Sequence, residues 1–316
     1  MYTSLGRIHS SIGLMINQIP GTYPEHLTHA GEYLADMLES QEKPVLRPYI
    51  FFQLIEKMYA EASGKRLYLR HQTPDKDDYA RLRRNLTKAG YIGTDRDYGS
   101  RVIRVLSVSD LPAEDIVSIV DPTCHVSHLS AMQRWGLTDR RPDALILTRP
   151  TPDQMKQKLA EIMANDLGPG ASTPFPLKGI SHPPRVRRRR IDLHESSVVG
   201  ASIVSRGSSV RISTIGQTFL DMLQIPDLCG GMAHVLDVWK DHALTYLPEI
   251  IEVTDTAKSP IAKIRAGHIL EERLGVKNDR INAWKAFAQR GSSRKLDPHR
   301  EFIERHSETW MISINV

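Results

Sequence analysis

The segment Thr73–Gly90, TPDKDDYARLRRNLTKAG, most narrows what this chain can fold into. It carries signals for both ends of a helix. Thr73, Pro74 and Asp75 supply a capping oxygen, a first position that needs no N–H, and an acid at the positive end of the helix dipole. Gly90 is a C-terminal stop. In between, Tyr79, Leu82, Leu86 and Ala89 share one face, and Asp78, Arg81, Arg84, Asn85 and Lys88 form a stripe opposite. Such a helix buries one side and shows cations on the other. The following YIGTDRDYGSRVIRVLS predicts strand, tight polar turn and strand, with Gly93 and Gly99 near the turn.

Upstream, residues 1–45 predict a helical extension, with Leu14, Met15 and Ile16 in one segment and Leu34, Met37 and Leu38 in the next. Ile50, Phe51, Leu54, Ile55 and Met58 then make a broad apolar face, with Gly64 as its stop. RLYLR (66–70) alternates and predicts a short strand. Helix, helix and hairpin, with a basic, Asn-bearing second helix, outline a winged helix-turn-helix over residues 46–108. The chemistry fits that outline. Arg reads guanine with two donors and Asn reads adenine in the major groove, which makes Arg81, Arg84, Asn85 and Lys88 candidate base readers. Arg96, Arg101 and Arg104 of the hairpin are candidate phosphate or minor-groove contacts.

Charge supports a polyanionic partner. The net charge is +5, but Lys65–Arg104 holds eleven Lys/Arg against five Asp, and SHPPRVRRRR (181–190) adds five more Arg. Positive charge is thus gathered in two places, as in proteins that bind nucleic acid. Arg187, Arg188, Arg189 and Arg190 extend the candidate DNA-binding set. An exposed strand edge kept from aggregating by its charge is the alternative for that run.

Residues 109–316 predict a second, mixed α/β unit, so that the whole chain falls in the α/β (α+β) class. LPAEDIVSIVDPTCHVSHLSAMQRWGL reads as helix, loop and helix, and ALILT as a strand. TPDQMKQKLAEIMANDL carries a capping box, with Thr151 as cap, Pro152 at the first position and Gln154 reaching back. With the Gly/Ser/Pro-rich GPGASTPFPLKGISHPP it reads as an insertion at 151–184. Several short strands precede a helix from about Thr214. In the terminal TWMISINV, Trp310, Ile312 and Ile314 alternate as on one face of a sheet.

Signals for catalysis are weak. There is no phosphate-binding GxxxxGK[ST], no GxGxxG after a strand and no HExxH. Gly207-Ser208 and Gly291-Ser292 lack the paired carboxylates by which a nucleotidyltransferase holds magnesium. His125 and His128 stand three apart, with only Cys124 as a companion, which fits satisfied polar histidines better than metal ligands. No enzyme activity, cofactor or metal is therefore expected. Cys124 and Cys229 stand in no paired motif, which fits a reducing cytoplasm, and no apolar run approaches a membrane span.

VRISTIGQTFLDMLQIPDLCGGMAHVLDVW (210–239) resembles the signature of the AbiEi antitoxin family of bacterial abortive-infection systems, with Ser213, Thr218, Leu220, Asp221, Pro226, Gly230 and Gly231 in the matching positions. DPTCHVSHLSAMQRWGL (121–137) and AKIRAGHILEERLGV (262–276), with Arg265, are similar to two further pieces in the same order. The resemblance implies an N-terminal winged helix joined to a C-terminal α/β antitoxin domain. It implies binding to inverted repeats in the protein's own promoter, repression of that promoter, and control of a co-encoded nucleotidyltransferase toxin, with a role in phage defence. Inverted repeats would take two copies, so a homodimer on DNA is expected. An antitoxin that works mainly by direct contact with its toxin is the alternative. Two departures stand out: about 45 residues precede the DNA-binding region, and 151–184 is extra.

Overall fold

The structure, a computed structural model, describes residues 27–61, 67–69, 71–168, 170, 172–289 and 293–316. The helix expected around Leu14–Ile16, the stop at Gly64 and the Gly291-Ser292 pair lie outside them. The fold is mixed α/β, with three-, two- and six-stranded sheets among the described residues.

The chain opens with α1 (His29–Ser40), β1 (Val45–Leu46), α2 (Pro48–Glu61), α3 (Lys76–Lys88), β2 (Ile92–Asp95) and β3 (Gly99–Val105). The three strands form an antiparallel sheet in the order β1-β3-β2, with Leu46 opposite Ile103 and Thr94 opposite Ile103 from the other side. Its first strand is Val45–Leu46. Leu67–Leu69, expected as a strand, is not one: Tyr68 holds φ of +49°, outside the extended region, and the place beside β3 is taken by β1. Leu34, Leu38, Phe51, Phe52, Ile55, Met58, Tyr79, Leu82 and Leu86 close a single core under this sheet. Helix α1, which the sequence placed in an extension, is thus one wall of the same unit.

α4 (Ala113–Val120), β4 (His125–Val126), α5 (His128–Arg134), β5 (Ala144–Pro150), α6 (Pro152–Leu167), β6 (Arg185–Val186), β7 (Arg189–Ser196), β8 (Ser202–Val204) and β9 (Arg211–Ser213) follow. Their strands make a mixed sheet ordered β6-β7-β5-β4-β9-β8. β5 and β7 are parallel in register from Ala144–Arg190 to Pro150–Ser196. A parallel pair needs a crossover of a dozen or more residues. Helix α6 and the segment after it are that crossover, so 151–184 is integral to the sheet and not an insertion. The capping box is also not formed: Thr151 donates to the Gln154 side chain, and Gln154 donates to the carbonyl of Ser197.

α7 (Ile215–Gln224), α8 (Met232–His242), α9 (Leu247–Thr256), α10 (Pro260–Gly267), α11 (Asp279–Ala283), β10 (His306–Ser307) and β11 (Ile312–Ser313) complete the chain. Thr214 caps α7 by accepting from the amide of Gln217. Phe219, Trp239, Ile264, Trp284 and Trp310 centre a helical core. Trp310 and Ile312 are buried there, against helices, and not on the large sheet: among the described residues β11 pairs with β10 and makes one bridge to Lys295.

The two units share packing. Val45, Tyr98 and Val102 of the first pack with Val126, Leu145, Leu147 and Ile212 of the second. Phe175, in the crossover, stacks on Tyr79 of α3 at 3.9 Å between ring centroids. Tyr49 of α2 donates to Asp166 of α6.

Candidate nucleic-acid interface

Helix α3 begins two residues later than its sequence suggests. Asp75, not Thr73, is the cap, and its carboxylate accepts from the amides of Asp77 and Asp78 at 2.9 Å. An Asp in this position competes well with Thr for the first-turn amides and adds charge to the dipole. The helix stops at Ala89, with Gly90 at φ +80°.

Tyr79, Leu82 and Leu86 are buried as their spacing requires. The opposite side presents Lys76, Asp77, Ala80, Arg84, Thr87 and Lys88 as exposed residues. Arg84, Asn85 and Lys88 therefore lie together on the outer half of α3, and the second unit does not cover them. Asp78 departs from the expected stripe. It is buried and accepts from Arg81, so Arg81 is partly held by its own helix. Lys76 and Ala80 belong to the same outward face, one helical turn apart, and were not singled out by sequence. Their signal was the four-residue step down from Arg84. The small side chain of Ala80 leaves this part of the face low. Asp75 and Asp77 oppose a phosphate at the helix start, so the attractive part of the face is its C-terminal half.

The hairpin is placed differently from a free wing. Its tip docks on the second unit. Asp95 receives the amides of Asp97 and Tyr98, which tightens the turn. Arg101 donates to the carbonyls of Tyr98 and Ser181, and Arg104 to those of Pro44, Val105 and Val108. Arg96 pairs with Asp110 at 3.1 Å but remains largely exposed. Arg104 thus serves as a half-buried brace, whereas Arg101 reaches across to Ser181 while staying exposed. The backbone carbonyls that hold these guanidinium groups are not revealed by pattern alone.

The basic run is divided in the same way. Arg187 and Arg188 both hold positive φ, at 49° and 67°, in the two-residue turn between β6 and β7. Arg187 is turned into a cage of Asp95, Asp97 and Asp110, with contacts of 2.6, 2.5 and 2.9 Å, and its side chain is 5% exposed. It is not available to phosphate. Burial lowers its proton affinity, and its hydrogen bonds to Asp95 and Asp97 more than reverse this, so it stays charged. Arg189 donates to the carbonyl of Pro142, whereas Arg188 and Arg190 are exposed.

The motif residues of the second unit are structural. Ser213 and Gln217 donate to the two oxygens of Asp221 at 3.1 and 2.7 Å, and burial pushes that carboxyl up to about 7. Arg265 does not pair with Asp221; it donates to the carbonyls of Leu223 and Lys295. Gly230 and Gly231 hold φ of +87° and +88° where a short helical turn passes into α8, a conformation that other residues adopt only at a cost. His125 and His128 are buried, and burial lowers them to about 4 and about 3, so both are neutral near pH 7.

Among the described residues no helix is long and apolar enough to cross a membrane. No family model matches the chain, and no curated protein matches it. Among solved structures the chain is similar to the RV2827C protein from Mycobacterium tuberculosis, at 11% identity over 91% of this chain and 92% of that chain, with a TM-score of 0.47.

Proposed function

We propose that this chain is a DNA-binding antitoxin that represses its own promoter, and that residues 27–108 are a winged helix whose reading helix is α3. The observation that supports this is the outward face of α3. Arg84 and Lys88 are exposed and Asn85 is half-buried beside them, with the small Ala80 one turn away, on a helix about 20 Å long that matches a major groove. The order helix, strand, helix, helix, strand, strand with a β1-β3-β2 sheet agrees with a winged helix. Fourteen residues (62–75) separate α2 from α3, a longer link than a tight helix-turn-helix uses.

The role of the hairpin changes with its docking. Arg101 and Arg187 link the hairpin to the second unit, Arg104 braces the first unit internally, and phosphate contact falls to Lys88, Arg188 and Arg190. Inverted repeats in the promoter would seat two copies. The second unit then counteracts a co-encoded nucleotidyltransferase toxin, as the AbiEi resemblance implies, with no catalytic step of its own.

The test is a binding assay on the DNA upstream of the gene, with toxin rescue scored in parallel. The pair Arg84→Ala with Asn85→Ala should abolish promoter binding and leave rescue intact. If rescue fails while promoter binding survives, the protein acts by direct contact with the toxin and not through α3.

A further inference from the structure

We propose that Asp121, Cys124 and His182 form a zinc site that fastens the crossover segment and the β2–β3 hairpin to the second sheet. Asp121 and Cys124 lie in the turn between α4 and β4, and His182 comes from the crossover, so the site joins segments about sixty residues apart. One oxygen of Asp121, Sγ of Cys124 and a ring nitrogen of His182 all lie within 4.8 Å of one another. The pair Oδ2 and Nε2 is already at 3.2 Å. Zinc bonds of about 2.0–2.3 Å set tetrahedral donors roughly 3.3–3.8 Å apart, so small side-chain movements complete the cluster. Asp121, Cys124 and the His182 ring are all buried.

The donor set selects the metal. Thiolate, imidazole and carboxylate together suit zinc, whereas magnesium and calcium take oxygen donors. The surroundings are those of a metal site. The Tyr98 hydroxyl lies 2.8 Å from Nδ1 of His182. With the proton on Nδ1 donated to Tyr98, the lone pair of Nε2 faces Oδ2. The amide and hydroxyl of Thr123 both donate to Oδ1 of Asp121, at 2.9 and 2.6 Å, and leave Oδ2 as the ligand. Such outer partners fix the orientation of metal ligands. Arg47 donates to the carbonyls of Val120 and Lys178 and so braces both segments that carry the ligands.

Charge balances on binding. The thiol of Cys124 gives its proton to solvent, and thiolate plus carboxylate then neutralise the dication. Zinc displaces the thiol proton on binding, as any thiolate ligand requires. Three protein donors leave the fourth tetrahedral position to a water.

Cobalt reports directly on this chemistry. The full chain, stripped with a chelator, is titrated with Co2+. We expect one Co2+ per chain, with a thiolate-to-cobalt charge-transfer band and intense tetrahedral d–d bands that zinc abolishes. Cys124→Ser should lose the charge-transfer band, and Cys229→Ser should keep it. Tyr98→Phe should keep the band but weaken affinity about 10–100-fold. Circular dichroism of each variant establishes that it is folded. A folded wild-type chain with no charge-transfer band overturns the proposal, and so does a band that survives in Cys124→Ser.

Discussion

Replacing Arg187 by alanine should release the hairpin from the second sheet and lower the free energy of unfolding by about 3–5 kcal/mol at pH 7. The magnitude follows from the cage. Arg187 and Asp95 are 5% and 1% exposed, so removing the guanidinium strands a buried carboxylate, which is where breaking an ion pair is most costly. Asp97 is 17% exposed and adds like charge beside Asp95, whereas Asp110, at 35%, contributes at most about 1 kcal/mol. Burial pushes the Asp95 carboxyl up, but hydrogen bonds from Arg187 and from the amides of Tyr98 and Asp97 hold it below the usual carboxylate range. A depressed folded pKa gives stability that is present above the unfolded value near 3.9 and lost as pH falls further. In the variant the restraint is gone and Asp95 takes up a proton more readily. The loss should therefore be largest at neutral pH and shrink in acid. Urea unfolding of wild type and Arg187→Ala at pH 7 and about pH 3 measures both effects. Arg187→Gly should fall short of the alanine loss by about 1 kcal/mol, since glycine accepts the positive φ at this position. A loss under about 1 kcal/mol at pH 7, or one that does not change with pH, would show that the cage does not hold the units together.

Three further outcomes follow from the second unit and the interface. Asp221, raised by burial to about 7, binds its proton more tightly folded than unfolded, so stability should fall between about pH 4 and 7 by roughly 4 kcal/mol. Asp221→Asn keeps the Ser213 and Gln217 contacts, and calorimetry should find its melting temperature above that of wild type at pH 8 and nearly flat with pH. Gly267→Ala should lower the melting temperature, because a Cβ there would sit 2.0 Å from the Trp310 ring; overpacking of this kind costs about 1–3 kcal/mol. Helix propensity alone predicts a gain of about 1 kcal/mol, so an increase in melting temperature would refute the close approach. For DNA binding, the log–log slope of affinity against salt should ease by about 0.9 in Lys88→Ala, and an unchanged slope would remove that residue from the phosphate contacts.

Much of the first unit was legible because its elements are long and periodic. The apolar steps of α2 and α3 and the glycine-bounded hairpin announced themselves. β1 did not, since two residues carry no alternation. The cap was misplaced because Thr73 and Asp75 offer equivalent side-chain chemistry, and only geometry decides which oxygen meets the free amides. Helix α6 read as an insertion because a parallel crossover is defined by a strand that comes forty residues later. The greatest losses were at the interface. Whether an arginine faces solvent or a distant carboxylate depends on tertiary placement. Arg187 meets Asp95 across 92 positions, and His182 meets Asp121 across 61. Arg84, Asn85 and Lys88 were legible because one helix sets their common face.

Fluorescence anisotropy on a labelled fragment from upstream of the gene, with a scrambled fragment as reference, tests the central claim most directly. Each good side-chain-to-base pair supplies about 1–3 kcal/mol of discrimination, so the preference of wild type for the upstream fragment should fall at least about 30-fold in Arg84→Ala with Asn85→Ala. Binding to the scrambled fragment should weaken far less. If the double variant keeps the wild-type preference, α3 does not read this DNA.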